Sequence, residues 1–411
     1  MEALLCTIAG CAALVTLTTP AFAASGMPAD TEQIFGVGAR ADAMGDAFVA
    51  VANDPTAAFW NPAGLSLLQK IELTAVTKSL PGFTQATVIQ DTGVDDEFPE
   101  FPGFGSVTFS DTTSNHASAS VATFLSVTAP IGKDPTRHGT IAISRALAGF
   151  FDRDWTVRQN FITADPGDAE TLITSVRDRM RVDYNSITYG WKHSEAWSTG
   201  VGVVQAVARA STVGSTQQTF LQPGPEPFEG TIGPESTEGK GYGCILGALW
   251  TPKWAGTGTL TFGGSYLTKI TLRDFDSSSF GDERPDRLLL GANYRQVIPG
   301  SETDNEVQWS LQLSRNGSAN ASDGDQVVRN PVWNFYFGGE YDIHRARINW
   351  PIRCGLFTNR SPNNSVYGSE TWMTVGFGAS PTRADWQAEF ALQQGLRTGM
   401  SLISFSGGYS F

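Results

Sequence analysis

The sequence lacks the features that mark several large classes of protein. Its 28 lysine and arginine residues are outnumbered by 41 aspartate and glutamate residues, so it has no basic excess for a nucleic-acid partner. Beyond residue 17 it has no run of about 18 apolar residues, so no membrane-spanning helix is predicted. Its four histidines lie beside no recognisable nucleophile motif, which argues against a lipid hydrolase with a Ser-His pair. We therefore expect a protein that is not an enzyme.

Cysteine is also scarce, with four residues in 411. Cys6 and Cys11 fall in an apolar N-terminal run, whereas Cys244 and Cys354 are far apart and have no metal-ligand spacing. The sequence therefore predicts unpaired thiols, no metal site and no cofactor.

The first 23 residues have the pattern of a secretory signal peptide. Residues 3–17 are uncharged and apolar, and Ala21-Phe22-Ala23 is a small-x-small cleavage site. We expect the mature chain to begin at Ala24. The alternative is a lipoprotein box at residues 8–11 with an acylated Cys11, although this leaves few apolar residues before the cut.

The remaining sequence has the composition of membrane strands. Glycines number 44, aromatic residues reach 11%, and charged residues are 17%, against roughly 25% in soluble domains. In the last eleven residues, SLISFSGGYSF, apolar side chains alternate with serines, which is the period of a strand with one oily face. The same pattern predicts fourteen strands, at about 70–80, 118–129, 139–150, 180–193, 197–211, 241–251, 257–271, 286–297, 305–316, 332–342, 346–357, 370–380, 385–395 and 401–411.

The connections between these strands alternate in length. Every second one is short, such as SEA or PTR, and most of the others are longer, including 81–117, 151–179 and 212–240. Outer-membrane barrels have an even number of strands, short periplasmic turns and long outer loops. The sequence therefore predicts an all-β protein of the bacterial outer membrane, with a 14-stranded antiparallel transmembrane β-barrel over residues 70–411.

Residues 24–69 precede the first strand and are predicted to form a short helical plug, or hatch, inside the barrel. Apolar residues recur at helical spacing from Ala41 to Val51. Asp54 and Pro55 have the pattern of an N-cap and a first helical residue, and this second helix should end near Trp60. The residues Asn61-Pro62-Ala63-Gly64 would then turn the chain towards the first strand.

The stretch GARADAMGDAFVAVANDPTAAFWNPAGL, residues 38–65, resembles the N-terminal signature of the FadL/TodX superfamily. Those proteins are outer-membrane transporters of long-chain fatty acids and aromatic hydrocarbons. The resemblance implies a fourteen-stranded barrel closed by a hatch, with passive uptake of a hydrophobic small molecule. It implies a hatch role for Met44, Gly45, Asp54, Trp60, Asn61, Pro62, Ala63 and Gly64.

The same stretch is also similar to the PorV-like barrels associated with type IX secretion. That resemblance implies an accessory barrel with envelope or secretion proteins as partners and without small-molecule transport. Both interpretations place the protein among outer-membrane lipids, and the sequence leaves both open.

Charged residues on the predicted inner faces are candidates for the lumen. An arginine that faces lipid near the bilayer midplane costs roughly 2 to 4 kcal/mol, so Arg347 and Arg353 should point inward, near Glu340. One explanation is an ion network with Asp385 and Glu389 that fills the interior. The other is that some of these side chains meet an acidic ligand headgroup.

A sideways opening through the wall needs interrupted strand pairing, which proline or glycine inside a strand marks. The options are Pro351, Gly263-Gly264 and Ala148-Gly149. The resemblance favours Ala148-Gly149, because the kink of FadL-like transporters lies in the third strand.

Overall fold

The computed structural model describes residues 36–79, 83–91, 104–115, 121–132, 139–163, 170–220, 228–253, 256–275, 282–300, 303–319, 330–360, 369–382, 385–397, 399 and 401–411. The predicted signal peptide and residues 24–35 of the predicted plug lie outside these ranges. Within them, no helix is both long and apolar enough to cross a membrane.

The strands form a closed antiparallel barrel. In chain order they are β1 Glu72–Ser79, β2 Phe83–Asp91, β3 Phe104–Asn115, β4 Val121–Pro130, β5 Thr140–Thr163, β6 Glu170–Lys192, β7 Trp197–Phe220, β8 Phe228–Trp250, β9 Gly258–Leu267, β10 Ile270–Thr271, β11 Glu283–Arg284, β12 Arg287–Ile298, β13 Asn305–Asn316, β14 Val332–Ile343, β15 Ile348–Arg360, β16 Ser369–Pro381, β17 Trp386–Gly395 and β18 Ser401–Ser410. All except β2, β3, β10 and β11 pair in one ring, which closes where β1 pairs with both β4 and β18. The predicted 14-stranded barrel is confirmed.

The outer face of the barrel is apolar. On β7, Val201 and Val203 are 49% and 57% exposed, whereas Val204 and Ala206 on the opposite face are buried. This alternation is the pattern of a wall between lipid and lumen. The end with the short turns carries exposed aromatic side chains, which are typical of a membrane interface. They are Trp191, Trp197, Trp250, Trp350, Trp386 and Tyr409.

Four strands extend well beyond a bilayer. β5 and β7 have 24 residues each and β6 and β8 have 23, although about 9 to 11 suffice to cross. The prediction that 151–179 and 212–240 are loops is therefore wrong for most of their length. Polar residues occupy both faces there, so the period-2 signal is missing, but pairing across each hairpin continues.

Two smaller elements accompany the ring. β2 and β3 form a hairpin, and β3 pairs with the distal part of β5, from Arg153 to Thr163. β10 and β11 form a two-stranded sheet in the connection between β9 and β12. Ile270, Leu272 and Phe275 of this connection are buried, so it is packed against the barrel and does not stand free.

The N-terminal segment, here residues 36–68, lies inside the ring. It contains helix α1 Ala39–Ala43, helix α2 Ala57–Trp60 and a 3-10 helix Pro62–Leu67. Helix α2 begins two residues later than predicted, because Asp54 Oδ1 accepts a hydrogen bond from Thr56 N at 2.8 Å and forms a turn before the helix. Most side chains of the segment are buried.

Candidate functional site

The N-terminal segment approaches the wall at positions where the wall has glycine. A Cβ at Gly247 of β8 would lie 2.2 Å from Asn61 Oδ1. Further round the ring, a Cβ at Gly338 of β14 would lie 2.1 Å from the Met44 carbonyl oxygen. Both distances are too short for any side chain, so the wall and the segment fit only because these residues have none.

Asn61 connects the segment to itself and to β8. Its Nδ2 donates to the carbonyl oxygens of Val49 at 2.9 Å and Ala248 at 3.0 Å, and its Oδ1 accepts from Ala63 N at 3.2 Å. The side chain is fully buried. Because buried carbonyl groups need donors, this one residue satisfies backbone groups on both sides of the contact.

Two glycines of the segment are required by geometry. Gly45 has a φ of 58°, and a Cβ there would lie 2.7 Å from Leu356 N of β15. A Cβ at Gly64 would lie 1.8 Å from the Ala52 carbonyl oxygen. Trp60 is also fixed, since its Nε1 donates to a backbone carbonyl of the same segment at 2.8 Å. The structure thus brings the predicted hatch residues together in one packed body.

Four charged side chains join the segment to β14, β15 and β17. They are Arg40, Glu340, Arg353 and Glu389, and we call them the Arg40 network. Arg40 donates to Glu340 through Nε and Nη2, both at 2.8 Å. Arg353 donates to both Glu340 and Glu389. Burial alone would lower the pKa of Arg40, but Glu340 raises it above its usual value, so Arg40 stays charged.

Arg347 and Asp385 lie apart from the Arg40 network. Arg347 is exposed in the turn before β15, where the alternation that predicted its inward placement does not apply, since it does not extend beyond the strand. Asp385 pairs instead with the exposed Lys70, at 2.7 Å. The sequence alone does not indicate the role of Arg40, since a single arginine on a short helix gives no sign of a partner far along the chain.

A second buried group of charges lies where the segment meets β1. Lys78 Nζ lies 3.0 Å from a carboxylate oxygen of Asp42, and both side chains are buried. Burial and the neighbouring Asp42 raise the pKa of Asp46 to about 8, while Lys78 opposes this shift. Asp46 therefore holds a proton at neutral pH. The sequence gives one signal for this group, because Lys78 falls on the inner face of the predicted first strand.

On the side of the long strands, the inner wall beyond the segment carries an apolar cluster. Ile270, Leu272 and Phe275 cover the buried inner face of β6, β7 and β8. Tyr184 packs against this group and also against the hydrophobic core of the segment. We call the group the upper apolar cluster, and its other members are Ala148, Met180, Val182, Val204, Ala206, Ala208, Ala210, Ile245 and Leu267.

The described pairing of β5 changes beside this cluster. β4 pairs with β5 as far as Phe124 and Ala146, and β3 pairs with β5 from Arg153 onward. Among the described residues, 147–152 of β5 pair with β6 alone, and the register of that pairing shifts at Ala148. Such a shift is a β-bulge, which bends a strand and ends regular pairing. The candidate Ala148-Gly149 therefore lies at a β-bulge of β5.

The other two candidates for a sideways opening differ from Ala148-Gly149 in their strand pairing. In the ladder between β15 and β16, Asn349 and Ile352 are paired, but the two residues between them, which include Pro351, are not. Pairing of β15 with β14 continues at these positions. Gly263-Gly264 lies in continuous pairing with β8 and β12. A Cβ at Gly263 would lie 2.4 Å from the Val49 carbonyl oxygen, so this glycine makes room for the segment.

On the side of the short turns, the lumen is polar. A cavity of about 200 Å³ lies against the Arg40 network and also touches Arg295 and Glu306. A neighbouring cavity of about 390 Å³ shares those two residues. The Arg40 network and the upper apolar cluster therefore lie on opposite sides of the N-terminal segment.

The described histidines are not arranged for hydrolysis. His193 Nε2 lies 2.6 Å from Thr199 Oγ1, and His344 Nε2 lies 3.1 Å from Asp342, so within the described ranges neither joins a nucleophile to a carboxylate. His116 and His138 lie outside those ranges. Among the residues that the structure describes, no group of three or more His, Cys, Asp or Glu could hold a metal ion.

No protein-family model and no curated protein matches the chain. Its structural neighbours are a FadL homologue and toluene transporters. The Pseudomonas aeruginosa FadL homologue is 16% identical, with a TM-score of 0.45 over 90% of this chain and 96% of that chain. The Ralstonia pickettii toluene transporter TbuX is 12% identical, with a TM-score of 0.47 over 92% and 99%. The Pseudomonas putida toluene transporter TodX is 11% identical, with a TM-score of 0.41 over 92% and 99%.

Proposed function

We propose that the protein is an outer-membrane channel for passive uptake of hydrophobic molecules, such as long-chain fatty acids or aromatic hydrocarbons. The observation that supports the proposal is that Ala148, at the β-bulge of β5, belongs to the upper apolar cluster. In this proposal an apolar solute binds against this cluster, because apolar solutes favour surfaces that exclude water. In this proposal an opening at Ala148 connects the site with the surrounding lipid.

The N-terminal segment acts in this proposal as a plug, with residues 24–69 as the hatch and 70–411 as the barrel. The lumen beyond the plug is lined by the Arg40 network and other charges. A hydrophobic molecule that passed there would take hydration from these charges, which is costly. Passage sideways through 147–152 avoids that cost, so the molecule leaves into the membrane. Glu340 and Arg353 then hold the plug and do not bind the solute.

A disulfide across the proposed opening tests the sideways route. One step beyond the paired residues Phe124 and Ala146, the register places position 123 opposite 147. We start from a chain in which Cys244 and Cys354 are replaced by serine. In that chain, Thr123→Cys with Leu147→Cys should abolish cellular uptake of a fluorescent fatty acid under oxidising conditions, and a reductant should restore it.

A second disulfide in the same ladder provides the control. Val127 and Ile143 are already paired, so Val127→Cys with Ile143→Cys should leave uptake unchanged. Mass spectrometry confirms that each bond has formed. Normal uptake with the 123–147 bond in place would contradict the sideways route. An accessory barrel without transport would show no uptake by any of the variants or by the original chain.

A further inference from the structure

The outer face of β5 to β8 changes abruptly from apolar to polar. Residues that pair across neighbouring strands point to the same side of the wall, so they form rows around it. One row contains Ile143, Ile187, Val203 and Cys244, and the next row outward contains Arg145, Asn185, Gln205 and Tyr242. The boundary between these rows marks where the acyl region of the membrane ends on the side of the long strands. Because periplasmic turns are short, that side is the outer leaflet.

Arginines cluster immediately beyond this boundary. Arg145 and Arg181 both donate to Asp183, at 2.9 Å in each case. Arg209 is the register partner of Arg181 on the adjacent strand, and its Nε donates to Glu238 at 2.7 Å. The two carboxylates hold the guanidinium groups in place on the outer wall.

The carboxylates do not balance the positive charge of this face. Its side chains are partly exposed, apart from Asp152 and Asp183, which are largely buried. Its cations are Arg145, Arg177, Arg179, Arg181, Arg209 and Lys240, and its carboxylates are Asp152, Asp154, Asp183 and Glu238. Among these described ion-paired side chains, six positive groups against four negative ones leave an excess of two positive charges.

A groove lies directly below these arginines. Its volume is about 550 Å³, and it runs across the outer face from β4 to β8. Its lining is mainly apolar, with Leu125, Val127 and Ile187 among the residues, and Arg145 and Tyr242 lie at its polar edge. The groove therefore offers apolar surface at the depth of acyl chains and a cation at the depth of headgroups.

We propose that this face binds a phosphate-bearing lipid of the outer leaflet. An acyl chain occupies the groove, and the phosphate is held by Arg145, Arg181 and Arg209. Guanidinium groups match phosphate oxygens with paired hydrogen bonds, which distinguishes this headgroup from a zwitterionic one that brings its own cation. The bound lipid lies next to the β-bulge at Ala148, because Arg145 precedes it by three residues.

Two described cysteines that form no disulfide, Cys244 and Cys354, make the proposal testable. Cys244 is exposed in the apolar row beside the groove, and Cys354 lies on β15 in another part of the ring. Cys354→Ser and Cys244→Ser leave one thiol each for a bimane label. The labelled proteins are reconstituted in phosphatidylcholine vesicles that contain phosphatidic acid with brominated acyl chains, since bromine quenches bimane at close range.

The label at Cys244 should be quenched more strongly than the label at Cys354. We expect enrichment of phosphatidic acid of about fivefold for each cation that contacts the phosphate. Brominated phosphatidylcholine should quench both labels equally. Equal quenching of the two labels by brominated phosphatidic acid would overturn the proposal.

Two arginine variants and one control complete the experiment. Arg145→Gln and Arg209→Gln should each reduce the quenching of the label at Cys244 by brominated phosphatidic acid, relative to the label at Cys354. Lys70→Gln removes the same charge at the opposite end of the barrel and should leave this quenching unchanged. A preference that survives both arginine variants would overturn the proposal. So would quenching at Cys244 by a brominated fatty acid but not by brominated phosphatidic acid, because the groove would then serve the transported solute.

Discussion

Arg40 and Glu340 are joined by two parallel hydrogen bonds of 2.8 Å, although they lie 300 residues apart in the chain. One residue belongs to a helix of the N-terminal segment and the other to the barrel wall. The contact exists only when the segment sits in the lumen, in this orientation. Because both groups are charged and mostly buried, separating them leaves charges without partners.

Arg40→Gln should therefore loosen the plug. Breaking a buried ion pair costs about 3 to 5 kcal/mol, but Glu340 keeps Arg353, so we expect a cost nearer to about 2 kcal/mol. Ion conductance of the reconstituted protein in planar bilayers should rise. Lys70→Gln breaks an exposed pair with Asp385, worth less than about 1 kcal/mol, and should leave conductance unchanged. Equal conductance for the two variants would count against the Arg40 network as an anchor.

Neighbouring glycines on β9 provide a matched pair of variants. A Cβ at Gly263 would lie 2.4 Å from the Val49 carbonyl oxygen, whereas the nearest atom to a Cβ at Gly264 is a Leu290 methyl group at 3.5 Å. Gly263→Ala should therefore displace the plug, raise conductance and lower the melting temperature. Gly264→Ala should behave like the original protein. If both variants leave conductance and melting temperature unchanged, the segment does not press against the wall at this point.

Asn61→Ala should weaken the plug at its contact with β8. The carbonyl groups of Val49 and Ala248 lose their donor, and each unsatisfied buried group costs about 1 to 3 kcal/mol. Fatty-acid uptake or conductance should change, and the melting temperature should fall. Pro62→Ala, which alters the same turn, should act in the same direction. Unchanged uptake and conductance in both variants would argue that the segment is not a plug.

Asp46 should make the plug sensitive to pH. Its pKa rises from 3.8 to about 8 in the folded protein, so the folded state holds the proton more tightly than the unfolded chain. Its contribution to stability is therefore complete below about pH 4 and is lost as the pH rises towards 8. Hydrogen exchange of the N-terminal segment, corrected for intrinsic rates, should show weaker protection as the pH rises through this range. The side chain of the Asp46→Asn variant cannot titrate, so protection of the segment in that variant should not change with pH over this range. The same slope of protection against pH in the variant would contradict the assignment of the titration to Asp46.

The barrel could be predicted from the sequence because its signal is local and repeated. Each strand that crosses the membrane separates lipid from lumen, so apolar and polar residues alternate along it, as in the strand that contains Val201 and Val204. The second N-terminal helix was detectable to within two residues, since Pro55 and Pro62 limit where a helix can begin or end. The first helix ends at Ala43 and does not continue to Val51 as the spacing predicted, because the backbone at Gly45 and Asp46 has positive φ.

Other features give no local signal. The distal parts of β5 to β8 are polar on both faces, so nothing in their pattern distinguishes strand from loop. The contacts of Arg40 with Glu340 and of Asn61 with Ala248 join parts of the chain that are far apart in sequence. Likewise, the arginines on the outer wall become one group only when the register places Arg181 opposite Arg209.

The central claim is that the upper apolar cluster binds a hydrophobic molecule inside the barrel, and mass spectrometry of compounds retained after purification tests it most directly. We compare the original protein with Ala206→Glu, which places a charge in the cluster. The account predicts bound acyl chains or aromatic compounds in the original protein and their loss in the variant. The contradicting result is an original protein that carries no such compound and co-purifies instead with other envelope proteins.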